Sequence, residues 1–182
     1  MTSPYNKALA EIGHAMGGID GGEYTAAIEA LASAHNIALY GVGREGLQIK
    51  GLAMRLFHLG LSASVVGDMT TPALCRSDLL VVSAGPGSFS TVEALMNVAR
   101  EAGANVLLFT ANPDAPAGRL ATSRVLVPAQ TMANDIHGDS VLPMGSLYEG
   151  ALFVLFEMLV LSLKERLNVT AAQMRAVHTN LE

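Results

Sequence analysis

The 182 residues include one cysteine, Cys75, and no tryptophan, and only 15% of them are charged. A lone cysteine closes no internal disulfide, and with nine methionines beside it the chain points to a reducing compartment. Runs of lysine or arginine are missing, and the formal net charge is -5 with a pI near 5.5. That leaves no electrostatic footprint for nucleic acid as a partner. Long apolar runs are missing too. The longest, "ALFVLFEMLVLSL" at 151–163, is shorter than the ~20 residues that span a bilayer, and Glu157 interrupts it. It reads as a buried or interface helix, with no membrane partner expected. The opening "MTSPYNKALAEIGHAMGG" is too polar for a secretory signal, so a cytoplasmic location is expected.

Apolar side chains are present in excess. Hydrophobic residues make up 51% of the chain, a poor balance for a small monomer that must cover its surface with polar groups. A homo-oligomer, dimer or tetramer, is therefore expected, built from a single domain over residues 1–182.

Four apolar runs, at 36–41, 78–84, 105–110 and 123–129, read as parallel strands buried on both faces because none alternates polar with apolar. A fifth run at 62–67 is weaker. Helical segments lie at 44–59 and 88–102 between them, at 5–17 and 23–34 before them, and at 145–167 and 170–178 after them. This order predicts an α/β fold, a parallel sheet between helical layers. Ligands of such sheets bind beyond the carboxyl ends of the strands, near helix N-termini. The longest irregular stretch, 128–145, is long enough to be a functional loop.

Three motifs fall at that end of the sheet. In "GVGREG", residues 41–46, Gly41 and Gly43 open a strand-to-helix turn. The third glycine expected for close helix packing is not at the right spacing and no acidic residue closes the next strand, which disfavours a nucleotide. A plain tight turn and a ligand held against the turn and Arg44 stay open. In "VVSAGPGSFSTVEA", residues 81–94, a Gly-Pro-Gly turn rich in hydroxyls precedes a helix, with Ser88 placed at the helix N-terminus. In "MGSLYEG", residues 144–150, Ser146 as N-cap and Glu149 three residues on have the spacing of a capping box. Alternatively, Glu149 at the mouth of an apolar helix is partly desolvated, raised in pKa and suited to act as a base toward carbon acids. His178, near the end of a short terminal helix, reads as a solvated or capping residue unless something else claims it. Asp135, His137 and Asp139 alternate in "DIHGD" but lack further ligands, so no metal is expected.

Together "GVGREG", "MRLFHLG", "DLLVVSAGPG", "PMGSLYEG" and "HTNLE" resemble the SIS (sugar isomerase) domain family, and most of all its 6-phospho-3-hexuloisomerases, from about residue 5 to the last residue. The resemblance implies a three-layer αβα sandwich around a five-stranded parallel sheet, assembled as a tetramer of dimers. It implies an aldose-ketose or ketose isomerase of sugar phosphates that works through an enediol with neither metal nor other cofactor. Glu149 would carry the proton, and His178 would assist from a neighbouring subunit. Gly43, Arg44, Glu45, Ser83, Gly85, Gly87, Ser88 and Ser90 would line the substrate. The rival class is a non-catalytic SIS module that binds a sugar or sugar phosphate.

The chain departs from the family at its phosphate loop. Glu45 stands where the family has serine after the arginine, and Ala84, Pro86 and Phe89 stand at the loop's two serine positions and its threonine. A carboxylate 4 Å from a phosphate costs about 1 kcal/mol per unit of phosphate charge in bulk water and about 4 at an effective dielectric of 20. The loop is expected to keep the shape of a phosphate cradle without most of its chemistry.

Overall fold

The computed structural model describes residues 3–135 and 140–181. Helix α1 (Pro4–Gly17) starts at a proline, whose missing N–H and fixed φ suit a first helical turn. Helix α2 (Gly21–Ser33) is capped by Asp20, which accepts the Glu23 N–H at 2.8 Å. The alternating part runs β1 (Ile37–Gly41), α3 (Gly43–His58), β2 (Ala63–Val65), β3 (Leu79–Ser83), α4 (Ser90–Glu101), β4 (Asn105–Thr110), a 3-10 turn at Pro116–Arg119 and β5 (Ser123–Leu126). Helices α5 (Ser146–Arg166) and α6 (Ala171–Ala176) follow.

All strand pairs are parallel, in the order β2-β1-β3-β4-β5. Side chains alternate across the sheet, and both faces are dry. Ile37, Leu39, Leu79, Val81, Leu107 and Phe109 enter a core with α2, α3 and α5, while α1 lies against α5. Ala38, Leu80, Val82, Val106 and Leu108 enter a second core under α4. Burial on both faces is why the strands read as unbroken apolar runs. The expected αβα layers and five-stranded sheet are what the structure has, with α4 alone on one side. Helix α5 is 21 residues long and apolar enough to cross a membrane by length and composition, yet it packs against α1, α2 and α3 and buries nine side chains, among them Phe156 in a T-shaped contact with Phe109.

Several boundaries differ from the sequence reading for local reasons. The last strand ends at Leu126 rather than 129, because one more ladder bond, Val127 N–H to Thr110 O at 2.8 Å, is followed by Pro128, which has no N–H to give. The helix expected from 88 begins at Ser90 with Phe89 as N-cap, so Ser88 is outside it. Ser146 is the first residue of α5 and not its cap. The N-cap is Gly145, at φ +79, and no side chain caps the end, so the Ser146–Glu149 capping box does not form.

The turn after β1 also corrects the sequence reading. Gly46 does complete a third close-packing position after Gly41 and Gly43. A Cβ on Gly46 would stand 2.5 Å from the Gly41 carbonyl oxygen, so α3 can lie this close to β1 only without a side chain there.

Candidate active site

In a sheet of this order the direction in which strands are added reverses between β1 and β3, and a crevice opens beyond their carboxyl ends. A cleft of about 230 Å³ lies there. It is formed by Gly43, Arg44 and Glu45 at the start of α3, Pro86 and Phe89 after β3, Thr131 and Met132 after β5, and Gly145, Tyr148 and Glu149 at the start of α5. The turn into α5 is shaped by the closeness of the β5 loop: a Cβ on Gly145 would lie 3.0 Å from the Met132 nitrogen.

Arg44 ties the two helix starts together. Its Nε is 3.2 Å from Glu149 Oε1, one terminal nitrogen donates to Ser146 Oγ at 3.1 Å and the other donates to the Met144 carbonyl oxygen. The Arg44 side chain is 47% exposed and that of Glu149 15%, so the carboxylate is the enclosed partner and the guanidinium faces the opening. Burial pushes the Glu149 carboxyl above the ordinary glutamate value of 4.5; Arg44 pulls it back in part, and Glu45 adds to the rise. The expected raised carboxyl at the helix mouth is therefore present.

Glu45 is buried and points into the loop after β3. Its Oε2 accepts the Ser83 hydroxyl at 2.6 Å and the Gly85 N–H at 3.0 Å. Because the single Ser83 proton goes to Glu45, the Tyr148 hydroxyl, 3.2 Å from Ser83 Oγ, is the donor in that contact. The result is a buried chain Tyr148–Ser83–Glu45 from α5 to α3. Burial pushes the Glu45 carboxyl up, and the bonds from Ser83 and Gly85 offset part of the rise.

Of the residues expected at the substrate, Gly43, Arg44, Glu45 and Glu149 line the cleft, and Ser83 and Gly85 meet it through Glu45. Gly87, Ser88 and Ser90 are not among its walls. The Gly87 N–H bonds the Ala84 carbonyl oxygen, closing the turn, and the Ser88 hydroxyl donates to Glu93 at 2.5 Å. Ser90 is exposed at the start of α4.

His178 lies elsewhere in its own chain. Its ring stacks on His58 with centroids 5.2 Å apart, at the far end of α3 from Arg44. At 1.5 Å per residue that is a helix length of roughly 20 Å. His137 and Asp139 fall outside the described residues, and among the described residues no group of acidic, histidine or cysteine side chains could hold a metal.

Sequence reasoning singled out neither Tyr148, Thr131 nor Met132. Tyr148 sits inside the quoted "PMGSLYEG", and Thr131 and Met132 belong to the long loop already suspected of function, so position hinted at them where residue type did not.

The class follows from a parallel β2-β1-β3-β4-β5 sheet with a carboxylate and an arginine facing each other at the switch point, and from a solved relative of the same shape. A Methanococcus jannaschii protein, whose structure infers a 3-hexulose-6-phosphate isomerase function, superposes with a TM-score of 0.79 at 25% identity, over 88% of this chain and 86% of that one. The fold is that of the SIS sugar isomerases. A 3-hexulose-6-phosphate isomerase of Mycobacterium gastri is 42% identical over 144 residues, 78% of this chain and 71% of the relative. Another from Bacillus subtilis is 32% identical over 154 residues, 84% of this chain and 83% of the relative. No family model matches the chain. The chain belongs to the family of the 3-hexulose-6-phosphate isomerases.

Proposed function

We propose that the protein is an isomerase of ketoses or ketose phosphates that moves a proton between neighbouring carbons through a cis-enediol, with Glu149 as the base. The observation that carries this reading is the Glu149–Arg44 pair: an enclosed carboxylate, raised by burial, 3.2 Å from a half-exposed guanidinium at the mouth of the cleft. A proton on carbon next to a carbonyl is weakly acidic, so the base needs a donor that stabilises the enediolate as it forms. Arg44 supplies that charge, and the Mycobacterium and Bacillus relatives are named as isomerases of a ketose phosphate. The ionised form of Glu149 is the active one, so turnover falls as pH drops through its raised pKa.

The finer parts of the reading are these. The reaction needs no metal, the chain forms one domain, and the protein works in the cytoplasm as a dimer or tetramer. Support for assembly lies on the outer faces of α3 and α5, where Leu47, Met54, Phe57, Phe153 and Leu161 are each half exposed or more, a stripe of the kind a second copy covers. In such an assembly His178 of one copy assists proton movement in the cleft of another.

The test is Glu149→Gln, which keeps the shape and removes the base. It is expected to leave the fold and sugar affinity in place and to lower turnover by at least ~100-fold. Near-native turnover in that variant would place the base elsewhere.

A further inference from the structure

The loop between the end of β3 and the start of α4 is where a fold of this kind presents N–H and hydroxyl donors to an anion. In this chain three of those donors, one N–H and two hydroxyls, are bonded to the protein's own carboxylates, while the N–H groups of Ser88 to Val92 at the start of α4 have no acceptor among the described residues. Glu45 takes the Gly85 N–H and the Ser83 hydroxyl, and Glu93, in the first turn of α4, takes the Ser88 hydroxyl. Pro86 has no N–H, and the Gly87 N–H is used inside the turn. Among the described residues of the cleft wall, Arg44 is the one cation facing two carboxylates, Glu45 and Glu149, and it is committed to Glu149.

Glu45 is not merely filling space. Its Oε2 carries both hydrogen bonds, while among the described residues its Oε1 accepts none, and the side chain forms part of the cleft wall. Glu45 is 7% exposed, and Oε1 is its oxygen without a protein donor among the described residues. An acceptor held in that position receives hydrogen bonds and repels anions. Phe89 lines the same cleft, and an aromatic ring there suits the carbon face of a sugar.

We propose that Glu45 sets the substrate class of this cleft: the loop after β3 receives an uncharged, hydroxyl-bearing end of a ketose and not a phosphate. Glu45 Oε1 accepts from the sugar's terminal hydroxyl, and Tyr148 and Ser83 hold the carboxylate in that place. The proposal rests on the isomerase reading of the cleft for its ligand, a sugar, and is independent of which residue is the base.

The experiment is calorimetric titration of the native protein, Glu45→Ser and Glu45→Gln with fructose, fructose 6-phosphate and inorganic phosphate, each at low and high salt. The native protein is expected to bind fructose 6-phosphate no more tightly than fructose and to bind no phosphate. Glu45→Ser should bind fructose 6-phosphate roughly tenfold more tightly or better, with a gain that shrinks as salt screens it, and without the same gain for fructose. Glu45→Gln keeps an oxygen for Ser83 and Gly85 and so guards against loss of the fold; it should gain affinity for the phosphosugar in the same direction. Native protein that prefers fructose 6-phosphate tenfold or more over fructose, or variants whose phosphosugar affinity does not rise, overturns the proposal. The isomerase reading is judged separately, by turnover: efficient use of phosphosugars by the native protein overturns this proposal and leaves Glu149 as base, whereas the expected affinities with no turnover of any ketose would remove the catalysis and leave the selectivity.

Discussion

Replacing Gly46 by alanine tests the link between the fold and the cleft. The added methyl would stand 2.5 Å from the Gly41 carbonyl oxygen and 3.1 Å from its carbon, and both are backbone atoms of a central strand that no rotamer change can move. Even a close C···O contact needs about 3.3 Å, so the first turn of α3 must retreat from β1 by nearly 1 Å. Overpacking of this kind costs about 1–3 kcal/mol. In a chain of this length each kcal/mol lowers Tm by about 2–4 °C, which puts the loss at roughly 2–12 °C. Arg44 and Glu45 ride on the turn that moves, and displacement of reacting groups by ~1 Å costs about 100-fold in rate, so turnover should collapse further than stability does. Gly13→Ala is the control, because Gly13 is an exposed interior position of α1 with nothing within 4 Å of the new methyl, and it should raise stability by about 0.5–1 kcal/mol. Thermal melts followed by circular dichroism and an assay of ketose interconversion read both effects. A Gly46→Ala protein that melts and turns over like the native one would refute the close approach of α3 to β1.

Two further outcomes follow from buried charge and exposed apolar surface. Burial raises the folded-state pKa of Glu45 above 4.5, so its contribution to stability is complete below that pH and is lost as pH rises through the raised value. Glu45→Gln should therefore melt higher than the native protein at neutral pH and show a flatter fall of Tm between acid and neutral pH, with Glu149, raised in the same sense, common to both proteins. Equal slopes for the two would show that Glu45 is not the group responsible. Sedimentation of the native protein at micromolar concentration should give a dimer or tetramer, and a 19.0 kDa species alone would remove both the α3–α5 interface and the role of His178 in a neighbouring cleft.

Much of the architecture was legible because its signals are local. Strands buried on both faces need unbroken apolar runs, and the runs at 36–41, 78–84 and 105–110 became β1, β3 and β4 almost residue for residue. Element ends were less legible wherever a distant group decided them. Ser146 has the spacing of a helix cap, but its hydroxyl accepts from Arg44, a hundred residues earlier in the chain, and a glycine takes the cap. The glycine triplet at 41–46 was present in the sequence, but only the approach of a helix to a strand shows that its third member packs.

The sequence by itself determined a parallel α/β sheet, the resemblance to a family, and a glutamate directly after Arg44 where that resemblance leads one to expect serine. Periodicity and composition suffice for the sheet, since they are properties of neighbouring residues, whereas the family came from the resemblance of whole motifs such as "MRLFHLG", "PMGSLYEG" and "HTNLE". Only the tertiary structure decided what those residues do together. Gly43 to Glu45, Pro86 with Phe89, Thr131 with Met132, and Gly145 with Tyr148 and Glu149 meet in one cleft because four separate chain segments converge at the end of the sheet. Whether Glu45 pointed to solvent, to Arg44 or into the loop depended on which donors lay within ~3 Å of it. Those donors are Ser83 and Gly85, supplied by a strand some forty residues further along the chain.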